Sequence, residues 1–90
     1  MRTKYFADVR RLTGCLELDW DRPAATLREL ILGLAERHGG AFLDRVLPGG
    51  QLSPTIIILV NGQSIVHLQG LETPLQPQDI VAFFPMVAGG

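Results

Sequence analysis

The run Thr55-Ile56-Ile57-Ile58-Leu59-Val60 leads straight into Asn61-Gly62. β-branched side chains are stiff at χ1 and fit the pleat of a strand better than a helix. Asn-Gly is favoured in two-residue hairpin turns because both central residues there need positive φ. The run is therefore a strand, and Gln63 to Val66 is expected to pair back on it. Its unbroken apolar character indicates a strand covered on both sides or central in its sheet.

The cover is supplied by one helix. Thr26-Leu27-Arg28-Glu29 forms a capping box, with the Thr26 hydroxyl accepting from the Glu29 amide and the Glu29 side chain returning to the helix start. Leu27, Leu30, Ile31, Leu34 and Ala35 follow at the spacing of one helical face. His38 sits in the last turn, where a cation suits the macrodipole, and Gly39 or Gly40 provides the left-handed end. Burying four large side chains yields about 6–12 kcal/mol at roughly 1.5–3 each. Ordering a dozen backbones costs about 1–2 kcal/mol apiece, so the helix persists only when packed on a sheet.

Thr3 to Ala7 reads as a short strand and Val9 to Gly14 as a loop ending in a turn glycine. Cys15 to Trp20 alternates, placing Leu16, Leu18 and Trp20 on one face and Cys15 on the other. The two segments are close enough to form an antiparallel hairpin. Ala41 to Leu47 adds a helical turn before the loop Pro48–Pro54, and Leu68 to Leu75 is loop-like, broken by Gly70 and Pro74. Gln76–Asp79 is a turn and Ile80–Phe84 the last strand. Pro85 has no amide to offer and is expected to end the sheet, so that residues 85–90 leave it as an extended tail. The order β–β–α–β–β–β predicts an α+β roll of the β-grasp type, a mixed sheet of about five strands under one main helix.

Ninety residues suffice for a single domain, 1–90, near the small end of what folds unaided. A net charge of −1 argues against a nucleic-acid partner. No apolar run reaches the roughly 20 residues of a membrane helix. One cysteine excludes an internal disulfide, which points to a cytoplasmic setting. Charge is unevenly spread: all eight basic residues lie at or before Arg45, and beyond it only Glu72 and Asp79 are charged. Such a half-chain either exposes an apolar patch for a partner or simply supplies the core strands.

Apolar character continues through Phe84, Pro85, Met86 and Val87 to Ala88-Gly89-Gly90. Two glycines in succession are expected by chance about half a percent of the time. Glycine is slim and reaches backbone angles closed to other residues. Such a tail can thread a narrow pocket and present the Gly90 carboxylate to chemistry inside.

Lys4-Tyr5-Phe6-Ala7-Asp8-Val9-Arg10-Arg11-Leu12-Thr13-Gly14, the segment Thr26–Leu30 and above all Asp79–Gly90 resemble the MoaD/ThiS group of ubiquitin-like sulfur carriers. The tail is most similar to the small subunit of molybdopterin synthase, although Met86 stands where synthase members commonly have a second proline. The resemblance implies that Gly90 is the site of chemistry. An E1-like adenylating enzyme would use ATP to place AMP transiently on its carboxyl, and a sulfur donor protein would convert this to a thiocarboxylate. A larger catalytic synthase subunit would then receive the sulfur for molybdenum cofactor synthesis. Thiamine, cysteine or a transfer-RNA base are alternative acceptors, and a ubiquitin-like protein modifier is the alternative of another class. Phe84, Pro85, Met86, Val87, Ala88 and Gly89 would contact the partners. No stably bound cofactor or metal is implied, and the chain needs no catalytic site of its own. Six extended residues reach about 20 Å, enough to enter a buried site.

The last strand holds two neighbouring aromatics whose roles must differ. Val81 and Phe83 share one face while Ile80, Ala82 and Phe84 share the other. Both sets are apolar, so periodicity leaves the inward face open; the resemblance implies Phe83 in the core and Phe84 outside. Elsewhere, His38 and His67 lack a metal-ligand spacing, Cys15 reads as a surface or edge thiol, and Gly39-Gly40 and Gly49-Gly50 as turns.

Overall fold

A computed structural model describes residues 1–86 of the chain. Five strands form one mixed sheet: β1 (Arg2–Tyr5), β2 (Glu17–Asp19), β3 (Ile56–Val60), β4 (Gln63–Ser64) and β5 (Ile80–Pro85). Their spatial order is β2-β1-β5-β3-β4. β1 and β5 are parallel neighbours, whereas β2 on β1, β3 on β5 and β4 on β3 are antiparallel. Three helices join them: α1 (Ala7–Thr13), α2 (Leu27–His38) and α3 (Gly40–Val46). This is the expected β-grasp architecture.

The main helix forms as its residues dictate. The Thr26 hydroxyl accepts from the Glu29 amide at 3.3 Å. The Glu29 carboxylate returns to the Ala25 amide at 2.6 Å, one residue earlier than the simple capping box requires. Leu27, Leu30, Ile31 and Leu34 are buried. Opposite them lie Val81 and Phe83 of β5, Ile56, Ile58 and Val60 of β3, and Tyr5 of β1, all in the same core. Tyr5 stacks on Phe83 with centroids 5.6 Å apart, and Phe42 of α3 meets both rings edge-on at 6.1 and 5.8 Å. Gly33 faces Trp20 so closely that a Cβ there would lie 2.9 Å from the indole. This glycine is required by close approach, not by a turn.

Several sequence expectations need correction. The segment read as a loop over Val9–Gly14 is mostly α1, with Asp8 in its first turn, Arg10 and Arg11 in its last, and a left-handed Gly14 closing it. Only Val9 is fully buried along it, so its apolar periodicity was too weak to read. β2 is shorter than Cys15–Trp20, and Leu16 is 44% exposed rather than inward. Cys15 precedes the strand and packs partly against the core. β4 stops at Ser64, whose hydroxyl turns back to accept from the Val66 amide and starts a 3-10 turn. α3 is a full second helix covering the sheet, beyond the single turn anticipated.

The sheet does not end before Pro85, which remains in register opposite Ile56. Alternate residues of an antiparallel strand turn their amides to the same neighbour. Met86 N–H bonds Thr55 O at 2.8 Å, so Pro85 faces the other way, past the end of β1, and its missing amide costs β3 nothing. The register of β5 is pinned at its start as well. Asn61, in left-handed conformation at the turn, donates through its amide to Asp79 Oδ1 and accepts from the Ile80 N–H, both at 2.9 Å.

Candidate docking face and tail exit

The helices cover one side of the sheet and leave the other open. Register decides which residues line the open side. Lys4 pairs with Ala82 and Arg2 with Ile80 across β1 and β5, while Ile57 pairs with Phe84 and Leu59 with Ala82 across β3 and β5. The open side therefore divides in two. Toward β2 it is charged, with Arg2 bonded to Asp19 at 3.1 Å and Lys4 to Glu17 at 3.5 Å. Toward β3 it is apolar, formed by Ile57, Leu59, Ile80, Ala82 and Phe84.

Phe84 lies on this apolar half and Phe83 is fully buried beneath it, as the resemblance implied. Phe6, just past β1, stacks flat on Phe84 with centroids 4.3 Å apart and planes 4° from parallel. Such a pair stabilises by about 0.5–1.5 kcal/mol beyond area burial and holds a rigid aromatic platform at the surface. Phe6, Ile57 and Leu59 were missed from sequence. The alternation of Thr55–Val60 could have supplied Ile57 and Leu59; nothing local marks Phe6, which meets Phe84 only through the parallel pairing of β1 and β5.

Of the residues expected to contact partners, Phe84, Pro85 and Met86 converge at one end of this face. Val87, Ala88, Gly89 and Gly90 lie outside the described residues. Met86 is 53% exposed. It helps line an apolar recess of about 530 Å³ beside β3, with Ile57, Ile65, Val66 and His67 on its walls. The surface thus stays apolar from Ile80 to the last described residue. Apolar residues left contiguous and solvent-facing mark partner surfaces.

The displaced titrations among the described residues lie on the covered side. Burial pushes the Tyr5 phenol up to about 12, partly offset by a hydrogen bond from the Thr3 hydroxyl. His38 Nε2 lies 3.0 Å from Tyr5 Oη, and burial, aided by the Arg37 charge, lowers the imidazole below its usual range. The Tyr5 hydroxyl links His38 Nε2 to the Thr3 hydroxyl. His38 is thus more than a charge at a helix end; it completes a polar network in the core. Among the described residues no three His, Cys, Asp or Glu come together to hold a metal. No helix among them is long and apolar enough to cross a membrane.

Comparison with known proteins bears on this arrangement. The profile of the ThiS family matches residues 3–90. Small archaeal modifier protein 3 of Haloferax volcanii is 32% identical over 91 residues, spanning 100% of this chain and 98% of that protein. The crystal structure of SAMP1 from Haloferax volcanii superposes with a TM-score of 0.81 at 30% identity, covering 100% of this chain and 98% of that one. A chain of the BexX/CysO complex of Amycolatopsis orientalis gives a TM-score of 0.85 at 27% identity, covering 99% and 98%. In sequence the likeness extends over the whole length, and in structure it supports the β-grasp fold. The chain belongs to the ThiS family and is a ubiquitin-like protein of the sulfur-carrier and modifier class.

Proposed function

We propose that the carboxyl of Gly90 is activated as an acyl-adenylate and converted to a thiocarboxylate, and that the protein delivers this sulfur as the small subunit of a molybdopterin synthase. A terminal carboxyl has a pKa of about 3.3–3.7, so at neutral pH it is an anion and a poor electrophile. Its attack on ATP, with loss of pyrophosphate, supplies AMP as a leaving group that a sulfur donor can displace. Both steps belong to partner enzymes. This chain contributes a docking face and a slim terminus.

The observation that carries the reading is the apolar half-sheet of Ile57, Leu59, Ile80, Ala82 and Phe84, which leads to Met86 and so to the segment bearing Gly89 and Gly90. One surface can therefore dock a partner while the adjoining tail enters its active site. Similarity to small archaeal modifier proteins favours a second reading, in which Gly90 is joined to lysines of other proteins.

Incubation with ATP, the activating enzyme and a sulfur donor should exchange one terminal oxygen for sulfur, seen in the intact mass and located at Gly90. A modification found at Cys15 instead would refute the carrier chemistry. Recovery of the untagged protein then separates the acceptors. A non-covalent complex with a larger synthase subunit supports molybdopterin synthesis, whereas isopeptide-linked adducts support protein modification. Extending the chain by one residue after Gly90 should abolish adenylation while leaving the melt unchanged.

A further inference from the structure

One ion pair differs from the rest in where it points. The Arg45 side chain, in the last turn of α3, is 21% exposed, whereas the other paired cations are 35–56% exposed. Its Nε donates to Asp8 Oδ2 of α1 at 2.8 Å. Nη1 donates to the Thr55 hydroxyl at 3.0 Å and Nη2 to the Thr55 carbonyl at 3.3 Å. That same carbonyl accepts the Met86 N–H at 2.8 Å, the last backbone bond among the described residues. Ser53 completes the frame: its hydroxyl lies 3.0 Å from Thr55 Oγ1 and accepts the Thr55 amide, while its own amide bonds the Val46 carbonyl next to Arg45.

The guanidinium thus reads both the side chain and the main chain of the residue that anchors the exit. Its planar fork can do this because several N–H groups diverge from one rigid centre; a lysine ammonium offers no such geometry. The other Asp8 oxygen, Oδ1, is buried without a partner among the described residues. The Asp8 side chain is 42% exposed, and ion pairs this open to solvent add little to stability, so stabilisation alone does not explain the pair. It is well explained as an orienting one.

We infer that Arg45 is a positioning residue for the C-terminal tail: held by Asp8, it fixes the Thr55 carbonyl and so the direction in which the chain leaves the sheet at Met86. This rests on the carrier reading, in which the terminal carboxylate must meet a reacting phosphate in another protein's site. Displacements of about 1 Å can cost roughly a hundredfold in such steps. Docking, by contrast, belongs to the open face, on which Arg45 does not lie.

The test measures ATP–pyrophosphate exchange by the activating enzyme at varied concentrations of full-length wild-type, Arg45→Met, Arg45→Lys and Asp8→Asn chains. Amide hydrogen exchange at Met86, Val81 and Phe83 is followed in parallel. For Arg45→Met the expected result is about a tenfold fall in kcat with KM held within about twofold, since only orientation is lost. Arg45→Lys should recover part of kcat, and Asp8→Asn should lower it less. Exchange at Met86 should accelerate while Val81 and Phe83 stay protected. Unchanged kcat and unchanged Met86 exchange would overturn the inference. So would a loss shared equally by all three amides, which signals general destabilisation. If Arg45→Met does not fold, Arg45→Lys and Asp8→Asn carry the same comparison. Failure of the wild-type chain to support pyrophosphate exchange would refute the carrier reading, while the Met86 amide would still decide the brace.

Discussion

The two sides of β5 carry equally apolar residues and meet opposite fates. Val81 and Phe83 are fully buried under α2 and α3, whereas Ile80 is 41% exposed and Ala82 and Phe84 are only half covered. Residue type therefore does not distinguish the covered side from the open one here. The difference lies in what the chain places above each side. Helices fill the first to contact; on the second, among the described residues, Phe6 stacks on Phe84 and no helix lies over the face. Contiguous apolar surface of this kind marks partner sites in general, which is why the proposed docking falls on this side.

The largest expected effect breaks the comparison on its covered side. Phe83→Ala removes a fully buried ring that packs on Tyr5 and Phe42, and should cost about 3–5 kcal/mol in a thermal or denaturant melt. Adding volume tests the same side in the opposite sense. Gly33→Ala drives a methyl to within 2.9 Å of Trp20. It should destabilise by about 1–3 kcal/mol despite the better helix propensity of alanine. The equivalent insertion on the open side, Ala82→Val, should shift stability by less than about 0.5 kcal/mol. Similar losses from both insertions would mean the open side is as tightly filled as the core.

Phe84→Ala sharpens the contrast. Loss of the Phe6 stack should lower stability by about 1 kcal/mol. Binding to the activating enzyme or the synthase subunit should weaken by at least about 1–2 kcal/mol, measured by titration. Unaltered binding would move the docking surface elsewhere.

The smallest effect concerns pH. The folded state lowers the His38 pKa, chiefly by burial and then through Arg37, so the unfolded chain binds its proton more readily. Stability must then rise with pH wherever the unfolded state holds more protons. It should be full above the ordinary histidine value and decline as pH falls through about 6.5 toward the lower folded value. Tyr5 acts at the other end: its phenol is raised to about 12, so stability should fall as pH climbs from the ordinary tyrosine value of about 10 toward 12. His38→Gln should flatten the acid limb of the melting profile and leave the alkaline limb in place. An unchanged acid limb would assign it to other groups.

Much of this was legible in order along the chain. Capping and periodicity marked α2, β-branched residues marked β3, Asn61-Gly62 marked its hairpin, and the apolar segment after Asp79 marked both β5 and the residues to suspect at the tail. Those signals are local, carried by backbone preference and by spacings of two to four residues. The face of β5 that turns inward was open from periodicity alone, because Phe83 and Phe84 are the same residue type. Packing against α2 and α3 decided it.

The remaining features join residues distant in sequence. Seven-residue α1 carries one buried side chain and depends on docking against β5 and α3 for its existence. Phe6 reaches Phe84 through a parallel strand pairing, and Arg45 of α3 joins Asp8 of α1 to Thr55 in the turn before β3. Nothing in the neighbourhood of any one of these residues specifies its partner. The sequence by itself determined the main helix α2 and the strands β3 and β5, since short-range sterics and hydrogen bonding act within a few residues. Only the tertiary structure decided which apolar face stays uncovered and how the chain is aimed as it leaves the sheet, because both depend on contacts made after the elements have come together.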